Sequence, residues 1–524
     1  MSRTIAKCCG AWLCLALWGC TASGVASSSG GSSGTSGRSG ASSAGSSGST
    51  GGRSSGSTGG TTAATSGGGG QSSGGTTGTT SGAATSGGSA SASGSTGGST
   101  SGGSTGSSSG GSTVDLCGSL PSGTAPIAYS PLAQPAVGAA ATDPDFGTAI
   151  YRVTDVVHQL GAGANTATPV YPPVASWNID ESRLIFYVRG ASCDYALYDG
   201  HRYASAAKPS YAFIGCVPGW DSAGLTGFDP NGTTGNPEEF RWDVADPDVL
   251  WWVDDQNRLL RYHVSTNADD VAFAAADQIA THGYYAWSGD LFGMGSSNGF
   301  SLALSGGSWT KSATTVPMTG GDAPVACPSG SCLVASDSSG AMTVYGVDMA
   351  PLRTMTMQAE HGDLGLDSAG NDYWATVQFG SPEPFDDQLV VEWLRSGQTK
   401  VVIPTSPQSN TLVSAKALKL RGWVAGNSTG NPSSSAGYLP TTTTFDQEIF
   451  LANVETGAYC RVAHHRALGK AVNTVLGYFA QPQTTFSPSG TRIVFNSDWG
   501  VGSGAIPSVQ ETYVVELPSF VPSP

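Results

Sequence analysis

The chain has 524 residues, and its 38 acidic residues outnumber 23 basic ones, for a net charge of −15. All the acidic residues lie at or beyond Asp115, whereas Arg3, Lys7, Arg38 and Arg53 precede it, so the later part carries a net charge of −19. A domain of that sign repels a phosphate backbone, which excludes nucleic acid as a partner.

In chain order, residues 1–20 come first, with Arg3 and Lys7 ahead of an apolar run too short to cross a bilayer. That is the build of a secretory signal peptide. The run ends in Leu17-Trp18-Gly19-Cys20, which resembles the lipobox of bacterial lipoproteins and makes Cys20 the expected lipidated residue; cleavage a few residues later, near Ala22, is the alternative. Residues 21–113 are almost wholly Ser, Gly, Thr and Ala, with no aromatic and no acidic side chain. Such a stretch has no apolar surface to offset its ordering entropy and reads as a disordered tether, spanning roughly 50–60 Å as a random coil. The folded domain is expected over 114–524.

Six cysteines follow the signal region, and in an exported chain an even number implies disulfides. Cys327 and Cys332 flank one hairpin turn, Cys193 and Cys216 are the next closest pair, and Cys117 and Cys460 remain to join the two ends of the domain. No Cys-x-x-Cys motif favours a metal instead.

One hairpin plan recurs along 114–524. "FSPSGTRIVFNS" (486–497) reads as strand, Gly turn, strand; "SWNIDESRLIFYV" (176–188) and "FRWDVADPDVLWWV" (240–253) keep its spacing. "YYAWSGDLFGMG" (284–295), "VACPSGSCLVAS" (325–336) and "GLDSAGNDYWATV" (365–377) are looser copies, and "LVSAKALKLRGWVA" (412–425) occupies the remaining place. A second hairpin follows each one, such as "YALYDGHRYAS" after the first. Seven units of about four strands predict an all-β, seven-bladed β-propeller. The last unit lacks a strand, which "TAIYRVTD" (148–155) would supply from the start of the domain, closing the ring and covering an exposed edge. Ile493, Phe495, Leu184 and Phe186 are expected to face neighbouring blades.

"EIFLANVETGAYCRVAHH" followed by "QPQTTFSPSGTRIVFNSDWG" resembles the TolB-type, WD-repeat-like propellers of bacterial envelope proteins, with Ser489 where that family usually has Asp. The resemblance implies a propeller architecture and no particular activity. A more distant likeness is to propeller polysaccharide lyases acting on uronate chains, which share the repeat style and a His-bearing channel mouth.

Aligning the units on their turns puts Glu239, His282, His361, Asp363, Gln481 and Gln483 at one mouth of the central channel. Two imidazoles with carboxylates or amides suit a divalent cation, or one His a general base; a mouth of polar residues meeting water is the other reading. Lys416, Lys419 and Arg421, with His464, His465 and Arg466 one unit later, are the second candidate cluster, read as cations for a substrate carboxylate or as a solvated edge. Tyr438 or Tyr478 would return a proton in the first case. No Gly-x-Ser-x-Gly opens a helix, which disfavours a serine hydrolase. Trp220, Trp251, Trp252, Trp374 and Trp423 serve blade packing, or stack sugars if exposed.

The leading expectation is a non-enzymatic, cofactor-free lipoprotein, tethered to the bacterial envelope at the outer membrane, that binds a protein or glycan at its channel face. The rival is a lyase or hydrolase of acidic glycans that uses His282 or His361 with Lys416, Arg421 and His465, with a divalent metal as its one conceivable cofactor. A TolB-like scaffold differs from the first only in its partner.

Overall fold

A computed structural model describes residues 114–524 apart from 218–239, 255–257, 275–288, 296–297, 319–322, 338, 360, 379–383, 387, 405–410, 430, 434–436, 440–443, 468–480 and 501–508. The signal and tether expectations therefore lie outside the described residues.

Seven antiparallel sheets follow one another along the chain as the blades of a propeller. Blades 2, 4 and 5 have the regular form, four strands meandering outward from the channel: Arg241–Trp242 to Ala268–Ala274, Val325–Ala326 to Pro351–Gln358, and Asp363–Leu366 to Thr399–Ile403. Blade 6 (Leu412–Ser414, Trp423–Asn427, Glu448–Asn453, Tyr459–His464) carries a small extra hairpin, Asn431–Ser433 with Gly437–Leu439, between its second and third strands. In blade 3, Leu291–Gly295 pairs with Asn298–Ser305, and the expected inner strand at 284–287 lies outside the described residues.

Blade 7 closes the ring as the alternation at 148–155 predicts. Its own strands, Thr485–Phe486, Arg492–Ser497 and Glu511–Glu516, are completed by Ala149–Arg152, which pairs antiparallel with the last of them, and Ala140–Thr142 adds a fifth. Ile150 and Val515 face each other there in a buried core, so closure hides an otherwise open edge.

The period-2 pattern decides which face meets which blade. Ile493, Phe495 and Tyr513 pack with Trp423, Leu451 and Val462 of blade 6, while Val494 and Val514, one residue out of phase, pack with Leu184, Phe186 and Tyr198 of blade 1. Gly490 turns the hairpin at φ +70°, a conformation a β-carbon disfavours. Beside it, Arg492 crosses to blade 1, donating to the Gly200 carbonyl (2.7 Å) and to Glu181 (2.5 Å).

Three disulfides are present: Cys117–Cys460, Cys193–Cys216 and Cys327–Cys332, with Cα separations of 5.6, 5.9 and 5.2 Å. The first ties the segment preceding the closing strands to the outermost strand of blade 6.

Blade 1 departs from the sequence reading at both edges. Its outer strand is Phe213–Cys216 rather than the residues directly after "YALYDG". Asp199 accepts from the backbone and ring of His201 and from the Tyr203 hydroxyl, which turns the chain away from the sheet. The inner strand is Thr166–Thr168, ahead of the expected "SWN", which contributes only the Trp177–Leu184 bridge.

Candidate functional site

The second departure shapes the channel. Thr168 pairs with Tyr187 and Trp177 with Leu184, so nine steps along the inner edge oppose three on its neighbour. The surplus falls in Pro169-Val170-Tyr171-Pro172-Pro173-Val174, whose three prolines have no N–H for a ladder. Val170, Tyr171 and Val174 are buried instead against Phe240 of blade 2 and Leu412 of blade 6. This inward loop fills space between blades that are not neighbours.

From it, the Tyr171 hydroxyl lies 2.9 Å from Nδ1 of His361, just ahead of the inner strand of blade 5. A fringe of His361 is accessible, but the ring sits deep enough that burial pushes its pKa from 6.5 down to about 4. Two residues on, buried Asp363 receives the Lys416 ammonium at 2.7 Å and the Ala415 N–H at 2.7 Å. Desolvation pushes the carboxyl up and the amine down, while their mutual attraction acts against both. Arg241, from blade 2, lies near enough to disfavour the Lys416 charge as well.

Of the expected polar mouth, Glu239 and His282 lie outside the described residues. Gln481 and Gln483 are buried at the start of blade 7, and the Gln483 N–H donates to Asn496 at 2.7 Å. Among the described residues, neither His361 nor Asp363 belongs to a group of three His, Cys, Asp or Glu within reach of one metal ion.

The second sequence cluster is divided by the fold. Lys416 is spent in the channel on Asp363. Lys419 and Arg421 are exposed at the turn between the first two strands of blade 6. His464, His465 and Arg466 are buried at the far end of that blade, since Glu448 pairs with His464 where the third and fourth strands are farthest from their turn. There Glu448 is held bidentately by Arg461, and the His465 Nε2 lies 2.9 Å from the Ser428 carbonyl. Burial lowers the pKa of His464 to about 3 and that of His465 to about 4. Tyr478 lies outside the described residues, as does the side chain of Tyr438.

On the face carrying the short hairpin turns, blades 4, 5 and 6 frame a groove of about 930 Å³. Trp393 forms part of its wall, partly exposed, with its indole Nε1 donating to Asp367 at 2.9 Å. Asp367 also takes the backbone and side-chain amide of Asn371, at 2.7 and 2.9 Å. Asp372 accepts from the backbone N–H and hydroxyl of Ser329 on blade 4, at 2.8 and 2.5 Å. Arg395 donates to the Ser331 carbonyl (3.1 Å), Lys400 to the Glu455 carbonyl, and Ser368 to the Glu455 carboxylate (2.5 Å). Each charged group lining the groove thus already makes a hydrogen bond within the protein. What it offers a ligand is an aromatic wall beside the exposed side chains of Ser396 and Gln398.

No protein-family model and no curated protein matches the sequence. Among solved structures, an oligogalacturonate lyase in complex with manganese is similar at TM-score 0.47 and 14% identity, over 76% of this chain and 98% of that one. An oligogalacturonate lyase from Vibrio parahaemolyticus is similar at TM-score 0.47 and 11% identity, over 73% and 97%. A chain of the mitotic checkpoint complex is similar at TM-score 0.41 and 10% identity, over 74% and 96%. At these identities the likeness concerns the fold alone.

Sequence reasoning had passed over Trp393. Its candidates Trp251, Trp252, Trp374 and Trp423 are buried between blades, and Trp220 lies outside the described residues. The signal was the position of Trp393 at the end of a strand, next to a turn.

Proposed function

We propose that this protein is a non-catalytic binding propeller, exported and held at the bacterial envelope through its N-terminal tether, that takes a neutral glycan in the turn-face groove of blades 4–6. The observation carrying this reading is the groove's composition: a partly exposed indole fixed by Asp367, beside the exposed side chains of Ser396 and Gln398, in a wall whose charged groups each already make a hydrogen bond within the protein. Sugar rings present apolar faces that stack on indole and hydroxyls that meet amides. An acidic glycan fits less well, because the domain's net charge opposes it and the basic side chains proposed for its carboxylates do not gather at one place. The channel histidine supports the same reading, since His361 is engaged by Tyr171.

Affinity electrophoresis of the full chain through gels containing soluble glucan, mannan, xylan or polygalacturonate tests this. Retardation by a neutral polymer, reduced at least tenfold in apparent affinity by Trp393→Ala, is the expected result. Unaltered retardation in Trp393→Ala, or migration unaffected by every polymer, would rule the groove out. Release of unsaturated uronate from polygalacturonate, followed by ultraviolet absorbance, would transfer the argument to the lyase reading.

A further inference from the structure

We propose that Asp143, Asp145 and His464 form a divalent transition-metal site that clips the ring-closing N-terminal segment to blade 6. The two carboxylates flank Pro144 in the turn that leads into the closing strand Ala149–Arg152. That turn is stiff: Asp143 Oδ1 accepts the Asp145 N–H at 2.9 Å, and the Asp143 N–H donates to the Thr148 carbonyl at 2.8 Å. The imidazole comes from the last residue of the outermost strand of blade 6, held edge-on by Tyr129 and Phe146 with ring centroids 4.8 Å from each.

One ligand atom from each of the three side chains lies within 4.8 Å of the others. The side chains are 0%, 8% and 1% exposed. Buried polar atoms are normally satisfied, yet the Nδ1 of His464 makes no hydrogen bond. It points at Asp145 Oδ2 from 3.4 Å, outside the range of a good N–H···O bond. Two donors each about 2.1 Å from one ion at the tetrahedral angle stand about 3.4 Å apart. The spacing is thus wrong for a hydrogen bond and right for shared coordination.

The surroundings also carry the appropriate charge. Arg466 contacts Asp143 Oδ2 at 3.4 Å and offsets one carboxylate, and Asp145 is oriented by the Ser130 N–H (2.8 Å) and hydroxyl (2.6 Å). Behind the ring, Glu448 Oε1 lies 3.9 Å from Nε2, so a further carboxylate, itself held by Arg461, faces the other ring nitrogen. One imidazole with two carboxylates suits Zn²⁺ or Mn²⁺ and departs from the all-oxygen shell of Ca²⁺. The strand bearing His464 also bears Cys460, so the ion would be a second clamp beside the Cys117–Cys460 disulfide.

The test is metal analysis of the full chain after equilibration with Zn²⁺ or Mn²⁺ and gel filtration, with thermal unfolding in the presence of the ion or EDTA. Stoichiometric metal and a midpoint a few degrees higher than with EDTA are expected. Asp145→Asn, which keeps the size of the side chain and one acceptor oxygen for Ser130, and His464→Gln should each lose the metal, while His361→Gln keeps it. Co²⁺ should give the visible absorption of a low-symmetry nitrogen–oxygen site in the wild type, a readout independent of stability. Substoichiometric metal with no change in midpoint, or stoichiometric metal retained by both Asp145→Asn and His464→Gln, would overturn the proposal.

Discussion

The hydroxyl of Tyr171 meets the imidazole of His361 at 2.9 Å, joining a proline-rich loop of blade 1 to the inner edge of blade 5. The contact reaches across the space that the inner strands surround. Tyr171→Phe should therefore cost about 1 kcal/mol, the net worth of one hydrogen bond, and Tyr171→Ala about 3–5 kcal/mol through the cavity left in the core. Urea unfolding of the two variants checks this; equal losses would mean that the ring of Tyr171 is not packed.

The same histidine makes stability depend on acid. His361 titrates near 6.5 when unfolded and near 4 in the fold. Between those values the unfolded chain holds the extra proton, so stability falls as pH drops from 6.5 to 4 and is independent of this group above 6.5. The loss reaches about 3 kcal/mol for this one residue. In His361→Gln the decline in denaturation midpoint between pH 7.5 and pH 5 should be shallower than in the wild type. An identical decline would remove His361 from the account.

Asp363 and Lys416 are nearly inaccessible and bonded at 2.7 Å. Lys416→Met leaves a buried carboxyl without its cation and should destabilise the domain by about 3–5 kcal/mol, whereas Lys416→Met combined with Asp363→Leu should recover most of that. Chemical denaturation of the single and double variants measures the difference. A single-variant loss below about 1 kcal/mol would show that the pair contributes little.

Cys117 and Cys460 are 343 residues apart, whereas Cys327 and Cys332 are five apart. By loop-closure entropy the first cross-link is worth about 5–6 kcal/mol and the second about 2 kcal/mol. Replacing each pair by serine and comparing thermal midpoints should give the larger drop for Cys117→Ser/Cys460→Ser. The reverse order would mean that the N-terminal segment is held to blade 6 chiefly by its other contacts, among them the Arg461 N–H bond to the Pro121 carbonyl.

The architecture was legible because propeller blades are local objects. A Gly turn such as Gly490 between alternating strands specifies its hairpin from neighbouring residues alone, and the alternation of Ile493, Val494 and Phe495 specifies which faces must be covered. Even closure by 148–155 followed from counting, since one strand was spare at one end and one was missing at the other. The prolines at 169, 172 and 173 were also in plain view. That they would turn Tyr171 inward toward His361 was not, because the partner lies 190 residues away.

Sites depend on distances between blades, and a repeat pattern carries no such distances. Lys416 and Arg421, five residues apart in the chain, go one to the channel and the other to the surface, because the turn after Ser414 separates them. Asp143 and His464, 321 residues apart, meet where the His464 N–H donates to Asp143 Oδ2 at 3.1 Å, because closing the ring lays the first strands beside the sixth blade. Sequence alone determined that the chain would build seven hairpin-based sheets and borrow a strand to shut them. Only the tertiary structure decided which polar side chains were neutralised inside and which faced solvent, since burial and pairing depend on the whole ring.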